Sequence, residues 1–225
     1  GLLYRIGYTY NSRYMIETAG RYDGNYYFAP GKKWGFFPSV SAGWNISEED
    51  FMKNNIRNLD MLKLRVSYGE SGNLAGDPFQ YMSGYEMSSN SAYFGDPTTG
   101  IYETKQSNPF ITWERAKKFD VGIDGVLWRG LLSFSVDYFY DKRDNMLMSP
   151  KVTVPLEYGI ELRDVNGGKM SNQGIEIMLS STHTFPNRMQ LDLSGNFTYV
   201  HNKLLETYET SSTYNNPNRR LTGRS

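Results

Sequence analysis

The chain has 225 residues, 24 acidic against 24 basic side chains, and no cysteine. Zero formal net charge excludes a bulk electrostatic pull toward nucleic acid or acidic lipid, and the lack of thiols excludes disulfide staples and thiolate metal sites. No apolar run approaches the roughly 18–20 residues of a membrane helix. That test is blind to barrels, whose alternating strands average to the same negative mean hydropathy. The informative bias is aromatic: 18 Tyr, 12 Phe and 4 Trp are residues that strands and membrane interfaces favour and helices do not.

Taken in chain order, the dominant signal is period-two alternation, which sends successive side chains to opposite faces of a strand. Tyr4, Ile6, Tyr8 and Tyr10 oppose Arg5, Gly7 and Thr9, and Tyr14, Ile16 and Tyr22 oppose Glu17, Ala19, Arg21 and Asp23. Phe36, Val40, Ala42 and Trp44 oppose Ser39, Ser41, Gly43 and Asn45. Residues 45–60 form an intermediate link in which Ser47, followed by Glu48, Glu49 and Asp50, reads as a helix N-cap. Leu62, Leu64, Val66 and Tyr68 then oppose Lys63, Arg65, Ser67 and Gly69.

The second half repeats the theme. Phe119, Val121, Ile123 and Leu127 oppose Asp120, Gly122 and Asp124, and Leu132, Phe134, Val136, Tyr138 and Tyr140 oppose Ser133, Ser135 and Asp137. Ile175, Ile177 and Leu179 oppose Gly174, Glu176 and Ser180, and Leu191, Leu193, Phe197 and Tyr199 oppose Asp192, Ser194, Asn196 and Thr198. About eight strands are therefore expected. Tight turns at 11–13, 129–130 and 183–187 alternate with long links at 23–34, 70–111, 141–169 and after Val200. Such a sheet has one plain end and one elaborated end. The pattern is already running at Gly1, without Met or a signal peptide, and 210–225 is polar, so the chain reads as an internal fragment.

A soluble β-sandwich also alternates, and with a solenoid it is the competing architecture. Three features favour a barrel. Residues 114–127 and 131–141 look about twice the usual five or six residues of a soluble strand, as a tilted membrane strand of about 9–11 requires. Tyr14, Tyr22, Trp44, Tyr68, Trp113, Trp128, Tyr138, Tyr140 and Tyr199 fall near strand ends, where girdle aromatics suit the headgroup layer. Arg5, Glu17, Lys63, Arg65, Asp124, Asp137, Glu176 and Asp192 all fall on the polar phase, as expected if a lipid-facing Arg or Lys costs about 2–4 kcal/mol at mid-depth. Arg115 and Lys117 break the pattern at the long-link end of their strand, where that cost is small. No 40-residue repeat supports a propeller.

Longer motifs then carry a resemblance. Arg21-Tyr-Asp-Gly, followed by Trp34-Gly-Phe-Phe-Pro-Ser-Val-Ser-Ala-Gly-Trp-Asn-Ile-Ser-Glu-Glu-Asp-Phe51, closely resembles the SusC/RagA family of TonB-dependent outer-membrane transporters. So do Leu62-Lys-Leu-Arg-Val-Ser-Tyr-Gly-Glu-Ser-Gly-Asn73 and Asn166-Gly-Gly-Lys-Met-Ser-Asn-Gln-Gly-Ile-Glu-Ile177. The resemblance implies an all-β fold: an antiparallel transmembrane β-barrel segment, about eight strands of a 22-stranded barrel, with long external loops. Residues 1–225 would be a partial barrel domain lacking the plug. It further implies a bacterial outer-membrane importer of oligosaccharides or peptides, with a SusD-like lipoprotein and, through the N-terminal part, TonB as partners. The alternative is a surface or secreted β-rich glycan-binding module that spans no membrane.

An enzyme is not expected. His183 and His201 are the only histidines, neither in metal-ligand spacing, so no catalytic, metal or cofactor residue is assigned and no cofactor is implied. Gly69, Gly72 and Gly76 lack the Lys-Ser/Thr of a phosphate loop and read as a strand breaking into a loop. The longest link carries Tyr81, Tyr85, Tyr93, Phe94, Tyr102 and Trp113 among Asn, Ser, Asp and Thr. Rings beside hydrogen-bonding groups suit sugar faces, although they also pack loops against themselves. Tyr85, Tyr93, Phe94 and Tyr102 are the candidate substrate contacts.

Overall fold

The computed structural model describes residues 1–53, 58–93, 97–150, 157, 159–160 and 162–224, with the backbone alone at 90–93 and 97. Ten strands follow in chain order: β1 (Leu2–Tyr10), β2 (Tyr14–Gly24), β3 (Trp34–Asn45), β4 (Leu59–Asn73), β5 (Gly84–Tyr93), β6 (Pro97–Lys105), β7 (Glu114–Leu127), β8 (Leu132–Met148), β9 (Val165–Thr184) and β10 (Gln190–Glu206). A 3-10 turn (Ile46–Glu48) and α1 (Asp50–Lys53) lie between β3 and β4, and α2 (Ser211–Tyr214) follows β10. Eight strands form one antiparallel sheet in the order β1-β2-β3-β4-β7-β8-β9-β10, while β5 and β6 pair as a separate hairpin. Every alternating segment of the sequence is a strand of that open sheet.

The register explains why the alternation had to be so regular. One line of directly opposed residues crosses all eight strands: Tyr8, Ile16, Ala42, Val66, Val121, Tyr138, Ile175, Tyr199. The adjacent line on the other face reads Thr9, Met15, Gly43, Arg65, Gly122, Asp137, Glu176, Thr198. A slip of one residue in any strand would put polar residues into the apolar face, and in every strand but β3 a charge among them, so the two faces fix the register. At the β1–β2 turn Asn11 and Ser12 both have positive φ, 49° and 55°, the paired left-handed geometry whose twist matches the flanking strands.

The apolar face has no second layer over it among the described residues. Tyr8 is 64% exposed, Ile16 54% and Phe197 60%, whereas a sandwich would bury this face under another sheet. The buried hydrophobic side chains are Phe28, Ala29, Phe37, Ile111 and Trp113, all at the long-link end. Aromatics bracket the exposed band: Tyr14 stacks near Trp44 at the tight-turn end, with ring centroids 6.5 Å apart, and Tyr22 on Trp34 at the other, 4.9 Å apart. Tyr14 and Tyr22 are separated by about 27 Å along the strand, or about 20 Å of depth at a tilt near 40°.

Several expectations need correction. The link after β4 contains the β5–β6 hairpin, whose strands mix polar and apolar residues on both faces because neither lines the wall. β8, β9 and β10 run 17, 20 and 17 residues, past the end of the alternation. A strand extending beyond a bilayer keeps its backbone ladder but needs no apolar face. Tyr138, Tyr140 and Tyr199, like Tyr68 in the 15-residue β4, consequently lie within strands, not at their ends. Ser47 lies inside the 3-10 turn and bonds to Asn45 Oδ1 at 2.9 Å, so it caps nothing; Asn45 holds the N-cap position without a side-chain cap bond. β4 does not break at Gly69 but continues through Gly72 to Asn73, and the loop turn is at Gly76, φ +79°. Trp113 is 8% exposed and belongs to the buried cluster, not to a girdle.

Candidate functional site

The tight-turn end is held by one carboxylate. Glu49, 9% exposed, accepts hydrogen bonds from the Tyr14 hydroxyl (2.5 Å), the Trp44 indole N–H (3.1 Å) and Arg13 Nη1 (3.1 Å). It thereby joins the β1–β2 turn, β2 and β3 through the link that precedes β4. The Tyr14 and Trp44 bonds, reinforced by the Arg13 charge, hold the Glu49 carboxyl below the usual carboxylate range.

On the polar face of the wall, Arg65 on β4 reaches across β7 to β8. Its Nε donates to Asp124 Oδ2 at 2.6 Å and its Nη2 to Asp137 Oδ1 at 2.8 Å. The Ser135 hydroxyl lies 2.8 Å from Asp124 Oδ1 and 2.9 Å from Asp137 Oδ2. Arg5 pairs with Glu17 at 2.7 Å on the same face. Charged groups thus satisfy one another along a surface that the apolar face could not accommodate. Arg115 and Lys117, the two exceptions to the phase rule, sit at the long-link end and are paired with Glu70 (3.1 Å) and Asp144 (3.6 Å).

At the long-link end the loops are tied to the wall. Phe28, from the β2–β3 link, and Phe37, from β3, close on Trp113 with ring centroids 5.2 Å and 5.4 Å away; Ile111 completes the cluster and Leu147 packs against it. Gly72 makes room for this arrangement: a Cβ there would lie 2.1 Å from the Phe37 ring. Trp113 Nε1 donates to the Lys33 carbonyl at 3.2 Å. Asn166 clamps residue 112 from both sides, accepting from Thr112 N (2.9 Å) and donating to Thr112 O (3.0 Å), while Asn108 donates to Asp164 O at 2.7 Å. The link bearing the hairpin is therefore anchored at its base to the β2–β3 and β8–β9 links.

The hairpin carries Tyr85, 65% exposed, and Tyr102, 48% exposed, whose hydroxyl donates to Glu86 Oε2 at 3.2 Å. Tyr85 opposes Glu103 and Tyr102 opposes Glu86, so the two rings lie on opposite faces of the ribbon. Tyr93 ends β5 opposite Pro97; Phe94 lies outside the described residues. The hairpin presents the described candidates at one end of the wall but does not gather them on one face. Tyr81 and Trp113 take the packing role instead: Tyr81 meets Phe79 with centroids 6.3 Å apart, and Phe79 meets Tyr26 at 5.6 Å.

Sequence reasoning missed Phe28, Asn108, Ile111 and the specific duty of Asn166. The signal was present for Asn166, which opens one of the family-like motifs; Phe28 and Ile111 sit in non-periodic stretches that reveal no partner. His183, at the end of β9, packs edge-on against Phe185 of the β9–β10 turn, with ring centroids 4.6 Å apart. Among the described residues, no group of three or more His, Cys, Asp or Glu is placed to hold a metal ion.

An antiparallel sheet with an exposed apolar outer face, a charged inner face and loops elaborated at one end is a segment of a membrane-spanning β-barrel wall. The TonB-dependent receptor-like β-barrel family model matches residues 4–224. The chain belongs to that family, which is one of outer-membrane barrels. A TonB-dependent receptor of Formosa agariphila is 35% identical over 80% of this chain and 18% of its own length. The TonB-dependent receptor SusC of Bacteroides thetaiotaomicron is 30% identical over 89% of this chain and 20% of its own. The chain thus spans about a fifth of the curated relatives it matches. The solved RagAB peptide transporter shares the fold, with TM-score 0.82 over 99% of this chain and 24% of that one at 23% identity.

Proposed function

We propose that this chain is part of the wall and external loops of an outer-membrane importer that takes up oligosaccharides or peptides with TonB energy. It works with a SusD-like surface lipoprotein, and the TonB-contacting and plug parts belong to the remainder of the transporter. The observation that carries the membrane reading is the unbroken apolar line from Tyr8 to Tyr199, backed on the next line by Arg65, Asp137 and Glu176. The import reading draws support from membership of the TonB-dependent receptor family and from likeness to SusC and to a peptide transporter. The chain's own role is to hold lipid on one face and an aqueous path on the other.

In this reading the tight turns face the periplasm and the long links face outward, the usual arrangement of such barrels. Tyr85 and Tyr102 then stand where cargo or the lipoprotein arrives, on the link that also carries the candidates Tyr93 and Phe94. Loops longer than about 12–15 residues are uncommon unless functional or disordered, and this one is anchored at its base by Asn108 and Asn166. Cysteine labelling tests the orientation. In whole cells expressing the full-length protein, Ser91→Cys should react with an impermeant maleimide and Ser12→Cys should not. Labelling of Ser12→Cys alone would reverse the topology and remove the loop from the cargo side.

A further inference from the structure

The segment after β10 folds back on that strand and makes a small, fixed platform. Gly223, at φ +92°, donates from its N–H to the Leu204 carbonyl at 2.7 Å, and Leu204 N donates to the Arg224 carbonyl at 2.9 Å. Two residues opposite one, with the first a left-handed glycine, make a β-bulge that pins the segment to the strand. Glu209 ties the same segment from within: its carboxylate accepts from Leu221 N (2.6 Å), Thr222 N (3.1 Å) and the Thr222 hydroxyl (2.6 Å). Thr210 caps α2 by accepting from Thr213 N at 3.4 Å.

This platform encloses an open recess of about 560 Å³ whose lining includes Tyr214, Asn215, Arg220, Thr222 and Arg224. Arg220 lies over the Tyr214 ring, its guanidinium carbon 4.4 Å from the centroid, and donates from Nη2 to the Tyr214 hydroxyl at 3.3 Å. Its Nε is shut off from solvent with no hydrogen-bond partner among the described residues. Arg224 gives one Nη2 bond, to the Pro217 carbonyl at 2.9 Å. Neither arginine, nor the neighbouring Arg219, has an ion-pair partner within 4.0 Å among the described residues. The local carboxylate, Glu209, is occupied by the three loop bonds.

We infer that this recess binds the acidic group of an anionic oligosaccharide. A guanidinium offers five N–H donors in a fixed fork, and two such forks with most donors free match a carboxylate or sulfate ester, which accepts two parallel bonds. The acid would neutralise the two arginines of the lining, Arg220 and Arg224, of which Arg220 also feels the neighbouring Glu209 charge. Tyr214, 48% exposed, supplies a ring for the C–H face of a sugar, and Asn215 and Thr222 supply partners for its hydroxyls. That combination of ring, amide and hydroxyl beside the cations favours a sugar acid over an acidic peptide. The inference rests on the outward orientation of the long-link end proposed above, which brings the recess to the cargo side.

The test is calorimetric titration of the full-length transporter in detergent with tetragalacturonic acid, with its fully methyl-esterified and therefore neutral form, and with a hexaglutamate peptide. Tetragalacturonic acid should bind about tenfold or more tightly than its ester, the loss expected when a charge-assisted pair is removed. The pair Arg220→Gln and Arg224→Gln should bring that ratio near one, while Arg219→Gln, outside the recess lining, should keep it. A ratio near one in the wild type overturns the inference without reliance on any variant. Hexaglutamate bound as tightly as tetragalacturonic acid, and weakened by the same pair, overturns the saccharide assignment. Uptake of labelled neutral oligosaccharides or peptides, measured in parallel in cells with and without TonB, addresses the importer reading separately. TonB-dependent uptake with a binding ratio near one overturns only the recess; no TonB-dependent uptake overturns the importer, and the ratio still decides the recess.

Discussion

Placing one positive charge on each face of the wall should reveal which face meets lipid. Val121 lies near the middle of β7, a strand of 14 residues. At about 3.4 Å per residue and a tilt near 40°, the strand rises roughly 36 Å, against an apolar band about 25 Å tall. Val121 therefore sits close to mid-depth, in the apolar line between Val66 and Tyr138. Val121→Arg should cost about 2–4 kcal/mol, lowering the folded-to-unfolded ratio roughly 25- to 700-fold. Ser67→Arg is the control. Its position is opposite Asp120 on the charged face, where a cation gains a partner and the change should stay within about 0.5 kcal/mol. Urea titrations of the full-length protein in short-chain lipid vesicles, followed by Trp fluorescence, would measure both. Equal costs at the two positions, or neutrality at both, would refute the assignment of faces.

Two further outcomes are expected. Because the Glu49 carboxyl is held below its ordinary range, its contribution is present above the unfolded value near about 4.3 and is lost as pH falls through the folded value. The thermal midpoint of the wild type should exceed that of Glu49→Gln at neutral pH, and the two should converge as pH falls through that folded value; parallel profiles would show that Glu49 is not the hub. Replacing Tyr85, Tyr93, Phe94 and Tyr102 together by Ala should leave barrel assembly intact and weaken uptake severalfold, since a stacked aromatic contributes about 0.5–1.5 kcal/mol beyond its buried area. Unchanged uptake and lipoprotein association in that variant would remove the hairpin from substrate capture.

The sequence alone determined the wall. A strand with lipid on one side and water on the other must alternate at every position, so the two faces, and with them the register, were written in period two. It also determined that Arg115 and Lys117 lie outside the apolar band, because charge placement there follows the same solvent boundary. The tertiary structure decided what happens where that boundary ends. Beyond the bilayer nothing enforces alternation, so the true lengths of β8 and β10 and the existence of the β5–β6 hairpin leave no periodic trace. The loop core depends on contacts between distant segments: Phe37 and Trp113 meet only because β3 and the start of β7 flank β4, and Gly72 is small because a ring from another strand passes over it. The Arg220–Arg224 recess has the same origin, since a bulge at Gly223 and three bonds to Glu209 bring its groups together. Local pattern reports the solvent around a strand, whereas loop sites are made by long-range closure that no window of neighbouring residues contains.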